Sequence, residues 1–236
     1  MSLESHTGLV VRGFTPPLRL ADFRLAAFDM DSTLIDIECI DEIAAAAAGL
    51  KAEVAAITEA TMRGEIADFK ESLRRRVALL RGIPEQALQH VYDERLRLNP
   101  GVETFVAALR AAGLKTLLVS GGFTFFSDRV AQRLQLDYTR ANVLEIADGK
   151  LTGRLVDQDW GDICDGEEKR RMLVQTCAAL GIASTQAIAV GDGANDLPMM
   201  GAAGLSIAYH AKPAVREKAM LAINEGGMER ALEILR

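Results

Sequence analysis

Short apolar runs ending in Gly or Asp alternate along most of this chain with stretches of helical periodicity. The runs at 24–29, 115–120, 186–191, 205–209 and 221–223 have the length and bounding residues of strands. Near 101–112, 123–135, 166–180, 196–203 and 213–219, apolar residues recur three and four apart, the spacing that lines one helix face. A last helix is expected over 227–235. Such alternation predicts an α/β fold with a mostly parallel sheet flanked by helices. Residues 30–114 separate the first two strands, far more than the roughly dozen residues of one crossover, so an insertion follows the first strand. Its pattern is helical: 41–48 stops at Gly49, 52–62 near Gly64 and 67–81 at Gly82, and Pro84 stands where a first-turn proline would open a helix over 84–98. A small β-hairpin is expected over 143–156, with Asp148-Gly149 as a two-residue type I′ turn and a structural role.

The chemistry gathers where strands end. Leu25–Phe28 empties into Asp29-Met-Asp31-Ser-Thr33, placing two carboxylates at the C-terminal edge of a buried strand, where ligands bind in α/β sheets. Two aspartates this close repel unless a cation or a proton intervenes, which suggests a metal-bound nucleophile beside a carboxyl group that handles protons. Gln186–Val190 empties in the same way into Gly191-Asp-Gly-Ala-Asn-Asp196. With these strands side by side, Asp29, Asp31 and Asp192 would converge on an oxygen-rich pocket suited to a hard octahedral cation such as magnesium. Asn195 or Asp196 would also stand near the N-terminus of the next helix.

Two basic residues sit on apolar stripes. At 100° per residue Lys169 shares a face with Leu173 and Leu180, in a first helical turn where a cation opposes the helix dipole; the alternative is a lysine snorkelling from the helix edge. Arg76 falls on the stripe of Phe69, Leu73 and Leu80, whereas Arg74 and Arg75 fall off it. An inward guanidinium there could clamp a carboxylate through two hydrogen bonds, or pair with an acid such as Glu42 or Glu65.

Asp29-Met-Asp31-Ser-Thr33, an expected Ser120-Gly121-Gly122 turn after the strand 115–119, Lys169, and Gly191–Asp196 together resemble the haloacid dehalogenase-like phosphohydrolases. With Ile35-Asp-Ile-Glu-Cys-Ile-Asp-Glu-Ile43, the resemblance narrows to the phosphoserine phosphatase branch and runs from about Leu25 to Ala211. It implies a Rossmann-like core of 20–40 and 99–236 with a helical cap of 41–98, and magnesium-dependent hydrolysis of O-phospho-L-serine. Asp29 would be the nucleophile, forming an aspartyl-phosphate. Asp31 would serve as general acid and base, its carbonyl touching the metal with Asp29 and Asp192. The resemblance further implies that Ser120, Gly121, Lys169 and Asn195 meet the phosphate. Glu38 would hold the substrate ammonium and Arg76 its carboxylate, with Met62 and Phe69 lining an apolar pocket; Glu38 as a plain surface acid is the alternative. Here Met62–Phe69 runs one residue longer than the family pattern, which bears on the placement of Phe69. The rival readings keep the chemistry on another small phosphometabolite, transfer phosphate to an alcohol, or reduce the chain to a sensor; a sensor usually lacks the nucleophile.

Composition narrows the partners. A chain of 236 residues, 49% hydrophobic and 25% charged, can bury one substantial core. A net charge of −6 gives no reason to expect nucleic acid or an anionic membrane, and the runs Arg74–Arg76 and Lys169–Arg171 are short enough to be solvated faces. No apolar run approaches the roughly 20 residues of a membrane span. Met1–Gly8 lacks the order of a secretory signal and reads as the loose terminus of a cytoplasmic protein. Cys39, Cys164 and Cys177, odd in number and without metal spacing, fit a reducing compartment. The expected partner is a phosphorylated amino acid, with the chain a monomer or homodimer. His6, His90 and His210 suggest no catalytic role, and Trp160 suggests packing.

Overall fold

The computed structural model describes residues 7–62 and 68–236. Its strands are β1 (Leu9–Val11), β2 (Leu25–Phe28), β3 (Lys115–Phe123), β4 (Tyr138–Ala147), β5 (Lys150–Val156), β6 (Ala187–Gly191), β7 (Leu205–Tyr209) and β8 (Leu221–Ile223). They form one sheet in the order β1-β8-β7-β6-β2-β3-β4-β5. From β8 to β4 the neighbours are parallel; β1 joins β8, and β5 joins β4, antiparallel. Strands β2, β6 and β7 are buried at every residue, which explains why their sequence is apolar but for Ser206 in β7: both faces of a parallel sheet are covered.

Side chains on β2 divide by the two-residue period of a strand. Ala26 and Phe28 join a core with Phe105 and Val106 of α5 (Val102–Ala111) and Phe126 and Val130 of α6 (Thr124–Leu134). Leu25 and Ala27 join a second with Leu173 of α7 (Gly166–Ala179), Met199 of α8 (Leu197–Ala202) and Val215 of α9 (Pro213–Lys218). The register pairs Phe28 with Val190 on one side and Leu118 on the other, so the residues after β2, β3 and β6 leave the sheet at one edge. Chain direction across the sheet reverses at β2, the position where an α/β crevice forms.

Among the described residues four helices fill the insertion: α1 (Cys39–Ala48), α2 (Lys51–Met62), α3 (Phe69–Leu79) and α4 (Gln86–Glu94). Gly49, at φ +66°, ends the first of them in the left-handed region that favours glycine. Asp68 caps the third by accepting from the Lys70 amide at 2.9 Å. The base of the insertion is tied by a bridge between Ile35 and Leu98 and by the Asn99 side chain, which donates to the Thr33 and Ile35 carbonyls at 2.9 Å each. The β4–β5 hairpin braces it from the side. Gly82 donates to the Leu151 carbonyl and Leu151 to that of Ile83, both at 2.8 Å; Gly153, at φ +80°, packs against Ala78 and Arg81 so closely that a Cβ would lie 3.1 Å from the Ala78 carbonyl oxygen.

Several expected boundaries change. Strand β1 carries only three residues, too few for a periodic signal. Ser120-Gly121-Gly122 is not a turn but the continuation of β3 to Phe123, with the β4 pairing shifting between Val119 and Phe123. Strand β4 starts before the hairpin, at Tyr138, because its first half pairs with β3. Pro84 precedes the Glu85 cap of its helix and bridges Lys150 instead of opening the first turn. Residues 227–235 form a 3-10 helix over Met228–Glu233 rather than an α-helix; Met228, Ala231 and Ile234, three apart and buried, suit a three-residue turn. The paired Asp148 and Gly149 have positive φ, as a type I′ turn requires. Among the described residues no helix is long and apolar enough to cross a membrane. Cys39, Cys164 and Cys177 are buried and unbridged.

Candidate active site

Past the ends of β2 and β6 the chain turns inward and brings acids together. The Asp29 amide bonds the Val190 carbonyl at 3.0 Å, fixing the two loops side by side. Asp29, 5% exposed, accepts at Oδ1 from the Met30 amide at 2.7 Å. The fully buried Lys169 Nζ lies 2.7 Å from Asp29 Oδ1 and 2.7 Å from Asp196 Oδ1. Asp196 is occupied on its other oxygen too, accepting from the amides of Asp192 at 3.1 Å and Gly193 at 3.0 Å. It holds the loop and the lysine in one piece. The Thr33 hydroxyl donates to Asp192 Oδ1 at 3.2 Å.

Crowded, buried carboxylates resist ionisation. Burial and the Asp196 charge push Asp29 well above the ordinary range, against the pull of Lys169. Burial, then Glu38, raises Asp31 to about 7; burial, then Asp196, raises Asp192 to about 6. Burial works against the Lys169 ammonium, but Asp196 and Asp29 outweigh it and hold the lysine charged. One oxygen each from Asp29, Asp192 and Asp196 lie within 4.8 Å of one another, and Asp31 Oδ1 is buried with no hydrogen-bond donor among the described residues. Hard oxygen donors carrying this excess of negative charge fit a hard divalent cation, which would relieve their repulsion.

A cavity of about 590 Å³ opens above these groups and joins them to the insertion. Its core side carries Asp29, Asp31, Ser120, Gly121, Asp192 and Asn195. Ser120 Oγ accepts from the Gly122 amide at 2.9 Å; a Cβ on Gly122 would stand 3.3 Å from Asp31 Oδ2, a tight approach that glycine avoids. Asn142 stitches the extended end of β3 to the loop before α7, donating to the Gly121 carbonyl and accepting from the Cys164 amide, each at 2.8 Å. On the insertion side stand Glu38, Asp41, Phe69, Ser72 and Arg76. Glu38, at the cap position of its helix, accepts from Ser32 Oγ at 2.7 Å. Arg76 Nε is buried without a hydrogen-bond partner among the described residues, and burial lowers its pKa against Asp41, Glu38 and Asp31. A guanidinium so placed is short of acceptors.

Residues 23–204 match the family model for haloacid dehalogenase-like hydrolase. The chain belongs to the haloacid dehalogenase-like hydrolases. Among its relatives, a phosphoserine phosphatase of Polaromonas sp. is 69% identical over 99% of this chain and 98% of its own, and one of Vibrio cholerae is 48% identical over 86% of this chain and 60% of its own. A solved phosphoserine phosphatase, described as a phospho-aspartyl intermediate analogue, superposes with a TM-score of 0.82 at 37% identity, over 91% of this chain and 99% of that one.

For a haloacid dehalogenase-like hydrolase the distribution of the predicted residues is specific. Asp29, Asp31, Glu38, Arg76, Ser120, Gly121, Asp192 and Asn195 all line the one cavity, while Lys169 lies beneath its floor. The carboxylate cluster of Asp29, Asp192 and Asp196 contains two of the three expected metal residues; the third, Asp31, was expected through its backbone carbonyl, which a cluster of carboxylate oxygens does not address. Phe69 also lines the cavity and lies close to Gly121. The side chain of Met62, together with Glu65 and His6, falls outside the described residues. Glu42 stands 4.0 Å from Arg95, not beside Arg76. Sequence reasoning missed Asp41, Asn142 and Lys212. Asp41 was readable as the acid three residues after Glu38 in a first helical turn; Asn142 and Lys212 carry no local signal.

Proposed function

We infer that this chain is a magnesium-dependent phosphatase that hydrolyses O-phospho-L-serine to L-serine and phosphate, the last step of serine synthesis, in the cytoplasm. One observation carries the reading: a single cavity has an acid-lined core side for a phosphoryl group and an opposite side offering both an anion, Glu38, and a guanidinium, Arg76. Those two charges are what an amino acid's ammonium and carboxylate require. The high identity to phosphoserine phosphatases over nearly the whole chain supports it.

Asp29 attacks phosphorus and carries the phosphoryl group as an aspartyl-phosphate, dividing a high barrier into two lower ones. Asp31, raised to about 7, donates its proton to the departing seryl oxygen and then accepts one from the attacking water. Lys169, 2.7 Å from Asp29, keeps the nucleophile oriented and offsets charge as the phosphoryl group arrives. Ser120, Gly121 and Asn195 hold the phosphate oxygens. Magnesium, for which Asp29, Asp192 and the Asp31 carbonyl are the proposed ligands, would polarise the phosphoryl group and neutralise developing charge. The helical insertion, 41–98, acts as a cap that excludes water.

Phosphate release from a panel of phosphorylated amino acids and sugars, with and without magnesium, tests this reading. Phosphoserine should be turned over fastest, only with the metal, and Asp29→Asn should be inactive. Equal rates across the panel, or an active Asp29→Asn, would overturn the substrate or the covalent route respectively.

A further inference from the structure

Among the described residues, five carboxylates line the cavity, Asp29, Asp31, Glu38, Asp41 and Asp192, against two cationic side chains, Arg76 and Lys212. Lys169 lies below, fully buried and already paired with both Asp29 and Asp196. Arg76 faces Asp41, Glu38 and Asp31 from the insertion. Lys212 differs from both. It comes from the core, just beyond β7, its side chain is exposed, and it makes no ion pair among the described residues. Its backbone is nonetheless fixed: the amide donates to the Asp192 carbonyl at 3.2 Å, and its carbonyl accepts from Val215 at 2.9 Å and Arg216 at 3.0 Å. Pro213 follows and opens α9.

We propose that Lys212 is a substrate-binding residue that draws the phosphate dianion into the cavity and contacts it there. The inference rests on the phosphatase reading. A dianion approaching this site meets the field of the wall acids and of a chain with net charge −6, and an unpaired ammonium at the rim engages it without breaking an existing contact. A flexible four-carbon stem on an anchored backbone lets that point charge follow the phosphate inward.

The test compares Lys212→Gln and Lys212→Arg with Lys218→Gln, an exposed α9 lysine absent from the cavity wall. Two quantities are read at low and high ionic strength: kcat and KM for phosphoserine, and Ki for inorganic phosphate against an aryl phosphate substrate. Lys212→Gln should raise KM and Ki about tenfold at low salt, with kcat changed less than about twofold. Arginine should restore both, Lys218→Gln should match the parent, and the differences should shrink as salt screens the charge. Unchanged KM and Ki in Lys212→Gln, or a fall in kcat alone, would overturn the proposal; the second would mean that Lys212 acts only through the Asp192 loop. If the parent ignores phosphoserine, the substrate reading fails, while the Ki for phosphate still decides the role of Lys212.

Discussion

Replacing Lys169 by Met removes the cation buried between Asp29 and Asp196 and nearly preserves side-chain volume. Each of its 2.7 Å contacts, to Asp29 and to Asp196, is worth about 6 kcal/mol of gross attraction at an effective dielectric near 20. Desolvating the ammonium offsets several kcal/mol of that. Removing one partner from such a group costs about 3–5 kcal/mol, a large share of the roughly 5–15 kcal/mol that holds a domain folded. Urea unfolding in chelator, followed by the fluorescence of the single tryptophan, Trp160, measures the loss. The sign with pH follows from the acids. Asp29 is already raised above 3.8, and loss of the lysine raises it further, so the variant binds more protons when folded and loses stability as pH climbs. The gap from the parent should therefore be widest near pH 8 and shrink toward pH 5, and added magnesium should recover part of it. A variant as stable as the parent at pH 8, or a gap independent of pH, would refute the charge-compensation argument.

Truncating Arg76 to Ala should cut kcat/KM for phosphoserine about a hundredfold, as expected for about 3 kcal/mol lost with a desolvated charge contact, while aryl phosphate hydrolysis persists; parallel losses on both substrates would remove Arg76 from substrate recognition. Asp31 in the folded state keeps its proton up to about 7, against 3.8 ordinarily, so its contribution to stability falls as pH rises through that window. Asp31→Asn lacks this slope, and in chelator its Tm should gain on the parent between those pH values; parallel Tm curves would contradict the shift. Helix Phe69–Leu79 is latched to the core where Lys70 Nζ meets Asp162 at 2.7 Å and Arg74 meets the same carboxylate at 2.5 Å. Both pairs are partly exposed, so Asp162→Asn should change stability by less than about 1 kcal/mol yet speed amide exchange in that helix severalfold; unaltered exchange would show that the latch does not restrain it.

What the sequence determined by itself was whatever depends on neighbours along the chain. Apolar runs, interrupted only by Ser206 in β7, marked β2, β6 and β7 because strands covered on both faces leave no room for alternation. The phase of Lys169 against Leu173 and Leu180 foretold an inward side chain, and the structure buries it completely, since a helix fixes direction within a few residues. Three-residue β1 and the 3-10 segment Met228–Glu233 were beyond that reach: one is too short to show a period, and the other buries every third residue, a spacing that a helical pattern also contains. Tertiary structure alone decided what shares a wall with what. Thr33 and Asp192 are 159 residues apart and touch only because β2 and β6 are neighbours in the sheet. The same order puts Lys212 at the cavity rim, ties Asn142 to Gly121, and makes Asp196, read from the sequence as standing near a helix N-terminus, the fully buried partner of Lys169. Periodicity specifies the face of an element, but the pairing of elements is set by packing energies summed over the whole core, and no local window contains them.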